Sequence, residues 1–499
     1  MNPPTPALPG KPTNPAPETH GSLRNAAASG TKWVAFSQAS RVTAQLLGML
    51  ILARLLSPSD FGVVAMAAVV TGFAGIFRDL GTVAAVIQKP QLSEALLDSV
   101  FWLNVGIGAC IAVLLAMLAP ALAVAMRETR LVEVLWTLAV VFPIASLGLV
   151  HQALFERASR FRSVAMIECC AAFVGLAAGV AAALAGWGVY ALVSQTVAAS
   201  LVATAGLWAT SPWRPGWHFS LMQIRQLARF SGNLVGVNTF TYFARNADTL
   251  LIGRFLGTTE LGYYNVAYRL MLWPLQNISW VAGRALFPAL SRIQDDKERL
   301  RRGYTRAVAA VFLVTAPLTL GLFVLREPFV AAVLGESWST VSDLLFWLAP
   351  VSVVQSVGTT VGWLYRATGR TDVMFKVAAV SGSIAICAFV IGLQWGVEGV
   401  AAAYCTASLI VFWPSLAIAL RLVGLSLPGF LRQLGPTFLA ACLMASLLAL
   451  GSAASAPLEL PLWPRLLLLA AFGALAYLVV SMIIQRPMLR DMTNALLSR

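Results

Sequence analysis

The chain has 499 residues, 59% of them apolar and only 11% charged, and its mean hydropathy is +0.78. Soluble domains carry roughly 25% charged residues, so a soluble enzyme is excluded. The 35 Lys and Arg against 21 Asp and Glu, formally +14, would suggest nucleic acid in a soluble chain. In a membrane protein the same excess collects in cytoplasmic loops, and no nucleic-acid partner is implied. The apolar runs are too long and too little alternating for a transmembrane barrel.

Residues 1–31 are rich in Pro, Ala and Ser, with Pro3, Pro4, Pro6, Pro9, Pro12, Pro15 and Pro17, and are predicted to form a disordered cytoplasmic tail. From there, apolar length and polar breaks predict an all-α polytopic membrane protein with about 14 transmembrane helices. A first six-helix bundle occupies residues 32–210, with helices from Trp33 to Leu55, Phe61 to Ile87, Val100 to Ala123, Leu131 to Leu154, Val164 to Ala185 and Val189 to Ala209. A basic cytoplasmic linker, 211–229, leads to a second bundle in 230–421. Its helices run from Phe230 to Phe255, Leu261 to Leu286, Ala307 to Leu325, Leu344 to Leu364, Val373 to Ile391 and Val397 to Leu420. Two extra helices, from Phe438 to Leu450 and Leu466 to Ile484, fall within 434–485, and 486–499 is a cytoplasmic tail.

Loop charge sets the orientation. Arg157, Arg160 and Arg162, then Arg214, Arg225 and Arg229, then Arg292 through Arg306, and finally Arg366, Arg370 and Lys376 lie in alternate loops. The intervening loops at Ser57 to Asp60, Gly257 to Glu260 and Gly396 to Glu398 are short and almost free of positive charge. Both termini are therefore expected in the cytoplasm.

The two bundles repeat. A-R-L-L-S-P-S-D-F-G from Ala53 returns as G-R-F-L-G-T-T-E-L-G from Gly253, aligning Arg54 with Arg254, Asp60 with Glu260 and Gly62 with Gly262. W-G-V recurs at Trp187 and Trp395, each followed at the same distance by A-S-L. A unit of six helices keeps one orientation, so the halves are expected to be related by an axis along the membrane normal.

Ionisable residues inside the membrane cost about 2.5 to 3.5 kcal/mol each on insertion scales and need a reason. Arg41 lies near the middle of the first helix with Gln38 and Gln45 on the same face. The seventh helix carries Asn238, Thr241, Arg245 and Asp248; the eighth carries Asn265, Arg269, Gln276 and Arg284; the second carries Arg78 and Asp79. Arg245 with Asp248, and Arg78 with Asp79, also read as local ion pairs that only pack helices. Arg41 and Arg269 have no acid within one turn of their own helix, which points to a polar cavity. Guanidinium suits an anion there, gripping phosphate or diphosphate through paired donors. The substrate-binding candidates are Arg41, Arg78, Arg245, Arg269, Gln38, Gln45 and Asn265. The ion-coupling candidates are Asp79, Glu168 and Asp248. Trp273, Trp280, Tyr263, Tyr264 and Tyr268 could stack on sugar faces or serve helix packing.

No phosphate-binding G-x-x-x-x-G-K-[ST] loop, nucleophile motif or metal-ligand spacing is present in the sequence, so neither cofactor nor metal is expected. The six cysteines all lie in apolar segments and read as small core residues. Secondary transport remains.

A-R-L-L-S-P-S-D-F-G, F-R-D-L-G from Phe77, the run from Asp248 to Tyr264 and A-x-R-L from Ala267 resemble the polysaccharide flippases. These belong to the superfamily of multidrug, oligosaccharidyl-lipid and polysaccharide exporters. The resemblance implies a V-shaped pair of bundles opening alternately to the two sides of the bacterial inner membrane. It implies a cargo of undecaprenyl-diphosphate-linked oligosaccharide for O-antigen or exopolysaccharide, with cavity arginines facing the diphosphate. Membrane lipid and glycan polymerase machinery are the further partners it suggests, and the last two helices would offer a groove for the polyprenyl tail. Two alternatives stay open. A cation or drug antiporter of the same superfamily would place acids in its lobes, and a membrane glycan polymerase or ligase would want a large outward loop or an acidic pair.

Overall fold

The computed structural model describes residues 20–78, 82–89, 92–220, 242–243, 245–458 and 460–484. Among these, every regular element is a helix: α1 His20–Leu55, α2 Pro58–Ile76, α3 Thr82–Gln88, α4 Glu94–Met126, α5 Leu131–Ala139, α6 Val141–Arg157, α7 Phe161–Leu184 and α8 Tyr190–Thr210. The second half supplies α9 Ala247–Phe255, α10 Thr258–Arg292, α11 Lys297–Val324, α12 Arg326–Val333, α13 Ser339–Ala367, α14 Thr371–Gly392, α15 Gly396–Leu422, α16 Leu427–Ser455 and α17 Leu462–Ile484. Ten spans among the described residues are long and apolar enough to cross a membrane, and one of them, Thr371–Leu422, contains both α14 and α15. Helices α1 and α10, of 36 and 35 residues, also exceed the length a bilayer requires but carry more polar groups. Half of the predicted seventh helix, with Asn238 and Thr241, lies outside the described residues, as do the 1–19 and 485–499 ends.

Local chemistry sets the helix ends. Ser57 caps α2 in a reciprocal capping box with Asp60, and Pro58 occupies the first turn, where its missing N–H costs nothing. Ser93 caps α4, and the Asp296 carboxylate accepts the N–H groups of Glu298 and Arg299 to start α11. Four expectations shift. The first helix begins at His20, inside the stretch read as tail. Residues Lys297 to Arg306, expected in a loop, form the first turns of α11 because Asp296 supplies the cap. The fourth helix breaks at Val140, where the ring of Pro143 opposes the carbonyl of Ala139. The thirteenth starts at Leu427, eleven residues earlier than its apolar core suggests, because Ser426 and Pro428 nucleate it through a polar first stretch.

Helices α1 and α3 to α8 pack into one lobe, and α10, α11 and α13 to α17 into another. Helix α2 bridges them, touching α5 and α8 on one side and α9 and α10 on the other. The buried apolar residues show how the lobes meet. One core cluster joins Leu52 and Leu135 of the first lobe, through Phe61 and Met66 of α2, to Leu261, Tyr264, Trp338 and Leu345 of the second. At the far end the core divides, with Leu96, Phe101 and Val150 in the first lobe and Leu300, Tyr304, Leu364 and Phe430 in the second. The lobes are fused at the end holding Ser57 and Thr258 and keep separate cores at the end holding Arg157 and Arg370. This is the expected pair of bundles, in the state sealed at the poorly charged end.

Candidate functional site

The seal is built on the repeat. A Cβ added to Gly62 would lie 1.8 Å from the Thr258 carbonyl oxygen, and one on Gly262 would lie 1.8 Å from that of Pro58. The first turns of α2 and α10 therefore cross backbone against backbone, each glycine facing its repeat partner's helix. The Ser59 and Thr258 hydroxyls are 2.9 Å apart across the crossing. Arg130 reaches Ser59 Oγ at 2.6 Å, Glu128 at 3.0 Å and Asp60 at 3.6 Å. Burial pushes the Glu128 carboxyl up, but its hydrogen bonds and charge pairing with Arg130 outweigh that and hold it below the ordinary carboxylate range.

Within the first lobe, α1, α6, α7 and α8 surround a cavity of about 420 Å³ lined by Arg41, Gln45, Gln152, Glu168, Gln195 and Thr196 among others. Arg41 donates to Gln38 Oε1 at 2.7 Å and stands 3.6 Å from Glu168, which also accepts from the Ser37 hydroxyl. The sequence expectation of a cavity around Arg41 agrees with this, but Arg41 is not uncompensated. Its acid comes from α7, 127 positions away, which no single-helix reading could find. Gln152, Gln195 and Thr196 were missed, although a glutamine inside an apolar helix was the available signal.

In the second lobe, Arg269 on α10 is solvent-accessible although protein surrounds it densely. It has no ion-pair partner among the described residues, and Asn265 lies one turn before it on α10. Arg245 is exposed. Its suggested ion pair with Asp248 is not formed. Asp248 is buried and accepts instead from Tyr264 Oη at 3.0 Å and from the Thr249 N–H at 2.7 Å. Tyr264 stacks on Tyr268, Tyr268 meets Tyr404, and Gln355 donates to Tyr404 Oη at 2.7 Å. The sugar-stacking option fails for Tyr263 and Tyr264, whose rings pack against Trp338 and Tyr268, while Trp273 is exposed. Tyr404 and Gln355 were missed in the sequence.

Arg78 closes α2 with its Nε buried and unpartnered among the described residues. Asp79 lies outside those residues, so its pairing with Arg78 does too. The side chains of Gln276, Trp280 and Arg284 are likewise outside them.

The profile of the polysaccharide biosynthesis protein family matches residues 51–343. Over 75% of this chain and 76% of its own length, the lipopolysaccharide biosynthesis protein WzxC of Escherichia coli is 31% identical. The succinoglycan biosynthesis transport protein ExoT of Rhizobium meliloti is 28% identical over 71% of this chain and 72% of its own. The structure of the lipid II flippase MurJ in an inward closed conformation superposes with a TM-score of 0.73 at 15% identity, covering 92% of this chain and all of that one, which establishes a shared fold. With more than half of its length under the family profile and a relative above 30% identity across three quarters of it, this chain belongs to the polysaccharide biosynthesis protein family.

Proposed function

We propose that the protein is a secondary transporter, not an enzyme, that flips a polyprenyl-diphosphate-linked oligosaccharide across the bacterial inner membrane for O-antigen or exopolysaccharide assembly. The observation that carries this reading is Arg269: a cation densely surrounded by protein, open to solvent and without an acid partner among the described residues, in a molecule whose lobes are fused at one end and separate at the other. A concavity with free guanidinium selects an anion and disfavours a cationic drug. Arg245, Asn265 and Arg78 belong to the same cationic surface, and Arg41 with Gln38 and Gln45 forms its counterpart in the first lobe. Asp248 and Glu168 are the carboxylates suited to ion coupling, with Asp79 as a third. Both termini face the cytoplasm, and membrane lipid and glycan polymerase machinery are the neighbours this role requires. Relatives named for lipopolysaccharide biosynthesis and succinoglycan transport support the reading.

The test is movement of labelled lipid-linked oligosaccharide in proteoliposomes, scored apart from polymerisation. Wild type is expected to move it and Arg269→Gln to lose most of that activity, with Arg302→Gln, on the exposed start of α11, behaving as wild type. Export of a lipophilic cation, or glycan polymerisation without movement, would sink the proposal.

A further inference from the structure

The two flanks of the seal are related by the repeat but are not built alike. On the first flank Arg54, at the end of α1, donates Nε to the Val333 carbonyl at 2.9 Å and Nη2 to that of Ala332, tying the first lobe to the last turn of α12 in the second. Trp338 returns the contact by donating Nε1 to the Ala53 carbonyl at 2.7 Å. Its ring is wholly buried, edge-on to Phe61 and Tyr263 at 5.2 and 5.9 Å. The exposed Arg54 guanidinium satisfies carbonyls that the end of α12 leaves free, and the indole donation of Trp338 lies inside the dry apolar cluster, where such a bond is hardest to part.

The second flank carries the repeat partners of each group. Arg254 matches Arg54, the last turn of α4 from Val124 to Met126 matches that of α12, and Arg130 matches Trp338. Both helix ends turn through a left-handed residue, Arg127 at φ 58° and Gly335 at φ 102°. Among the described residues, however, Arg254 makes no bond like those of Arg54. Nη1 of Arg254 is buried without a partner among the described residues, and the Ala123 and Val124 carbonyls at the end of α4 are taken instead by the N–H groups of Arg127 and Glu128. Between them is a cavity of about 480 Å³ lined by Met126, Arg127, Glu128, Arg254 and Thr258 to Glu260. Where the first flank has a buried tryptophan, the second has Arg130, whose bonds run to Glu128 and the crossing itself. The flanking side chains Val124 and Phe255 are 79% and 65% exposed.

We propose that the gate opens asymmetrically, with the Arg54–Trp338 flank as the hinge and the Arg254 flank as the side that parts to release the cargo's headgroup. Parting the second flank breaks no lobe-to-lobe bond of Arg254 among the described residues, costs the exposed 3.5 Å contact of Arg130 with the Thr258 hydroxyl, and opens a space already hollow. Parting the first strips two charged donations and an indole donation and uncovers a buried tryptophan. Rotation about the first flank is the motion of lower cost, and it also leaves the Gly62–Gly262 crossing to slide rather than separate.

The inference rests on the flippase reading for its transport test, and two cysteine pairs at repeat-equivalent, exposed sites separate the two ideas. Leu55 with Ser337 spans the hinge flank, and Phe255 with Thr129 spans the opening flank. Each pair is bridged in the full-length protein with a cleavable bifunctional thiol reagent, wild type treated alike serving as the control for native cysteines. Bridging Leu55→Cys/Ser337→Cys should leave transport of lipid-linked oligosaccharide largely intact. Bridging Phe255→Cys/Thr129→Cys should abolish it until the reagent is cleaved. Equal loss in both, or loss only at the hinge pair, overturns the inference. If the unbridged variants and wild type move no lipid-linked oligosaccharide, the flippase reading fails, and spin labels on the same pairs still decide the gate. A single narrow distance across Leu55/Ser337 and a broad or multiple distribution across Phe255/Thr129 support it; like distributions on both flanks overturn it.

Discussion

Arg41 and Arg269 read alike in the sequence, each a lone cation mid-helix, and the structure separates them. Arg41 is held by Glu168 and Gln38, whereas Arg269 has no acid partner among the described residues. Arg41→Gln should therefore lower thermal stability slightly, by about 1 kcal/mol or less for so exposed a pair, and adding Glu168→Gln should recover that loss without restoring transport. Arg269→Gln should leave the melting temperature unchanged while transport per folded molecule falls. Equal melting shifts in the two single variants would contradict the contrast. At the seal, Glu128 has a carboxyl pKa held below its ordinary 4.5. A carboxylate with a depressed folded-state pKa stabilises fully above its unfolded value, and that contribution fades as pH falls through the folded one. The melting difference between wild type and Glu128→Gln should thus be present at neutral pH and close as the pH falls through the depressed folded-state value; a difference that persists in acid would show that Arg130 does not act through charge.

At the level of helices, the crossing of α2 and α10 makes the sharpest expectation. Gly62→Ala and Gly262→Ala each place a methyl on a backbone carbonyl that cannot swing aside, and overpacking of this kind costs about 1 to 3 kcal/mol. Because both changes push apart the same two helices, the double variant should cost less than the sum, as thermal unfolding of the three variants would reveal. Additive losses would mean that the glycines act in separate places. How far this was legible shows what a sequence carries. Helix type and the two-bundle plan follow from apolar length and the repeat, which are local or self-similar signals. The repeat also aligned Gly62 with Gly262, but similarity between two segments does not say that they touch. The same limit hid Glu168 from Arg41 and Trp338 from Ala53, since those contacts join elements far apart in the chain. Boundaries failed where a cap or a proline overrode hydropathy, at Asp296, Pro143 and Ser426.

For the molecule as a whole, the distribution of buried and charged residues points one way. The apolar core that fuses the lobes lies beside the short loops at Ser57 and Gly257, and the divided core lies beside Arg157, Arg160, Arg366 and Arg370. Positive charge is retained on the cytoplasmic side during insertion, so the parted end should face the cytoplasm and the sealed end the outside, which is the arrangement a transporter needs to collect a cargo made inside the cell. Thr259 and Arg302 are exposed at the two ends, one in the first turn of α10 and the other in the first turns of α11. A membrane-impermeant thiol reagent applied to intact cells should label Thr259→Cys and spare Arg302→Cys, and inverted membrane vesicles should give the reverse. The native cysteines Cys110, Cys170 and Cys387 are exposed only along apolar helices, where bilayer lipid would shield them, so wild type should give a low background in both preparations. Labelling of Arg302→Cys in sealed cells would invert the assignment, placing the closed gate on the cytoplasmic side and making the structure an outward-open state.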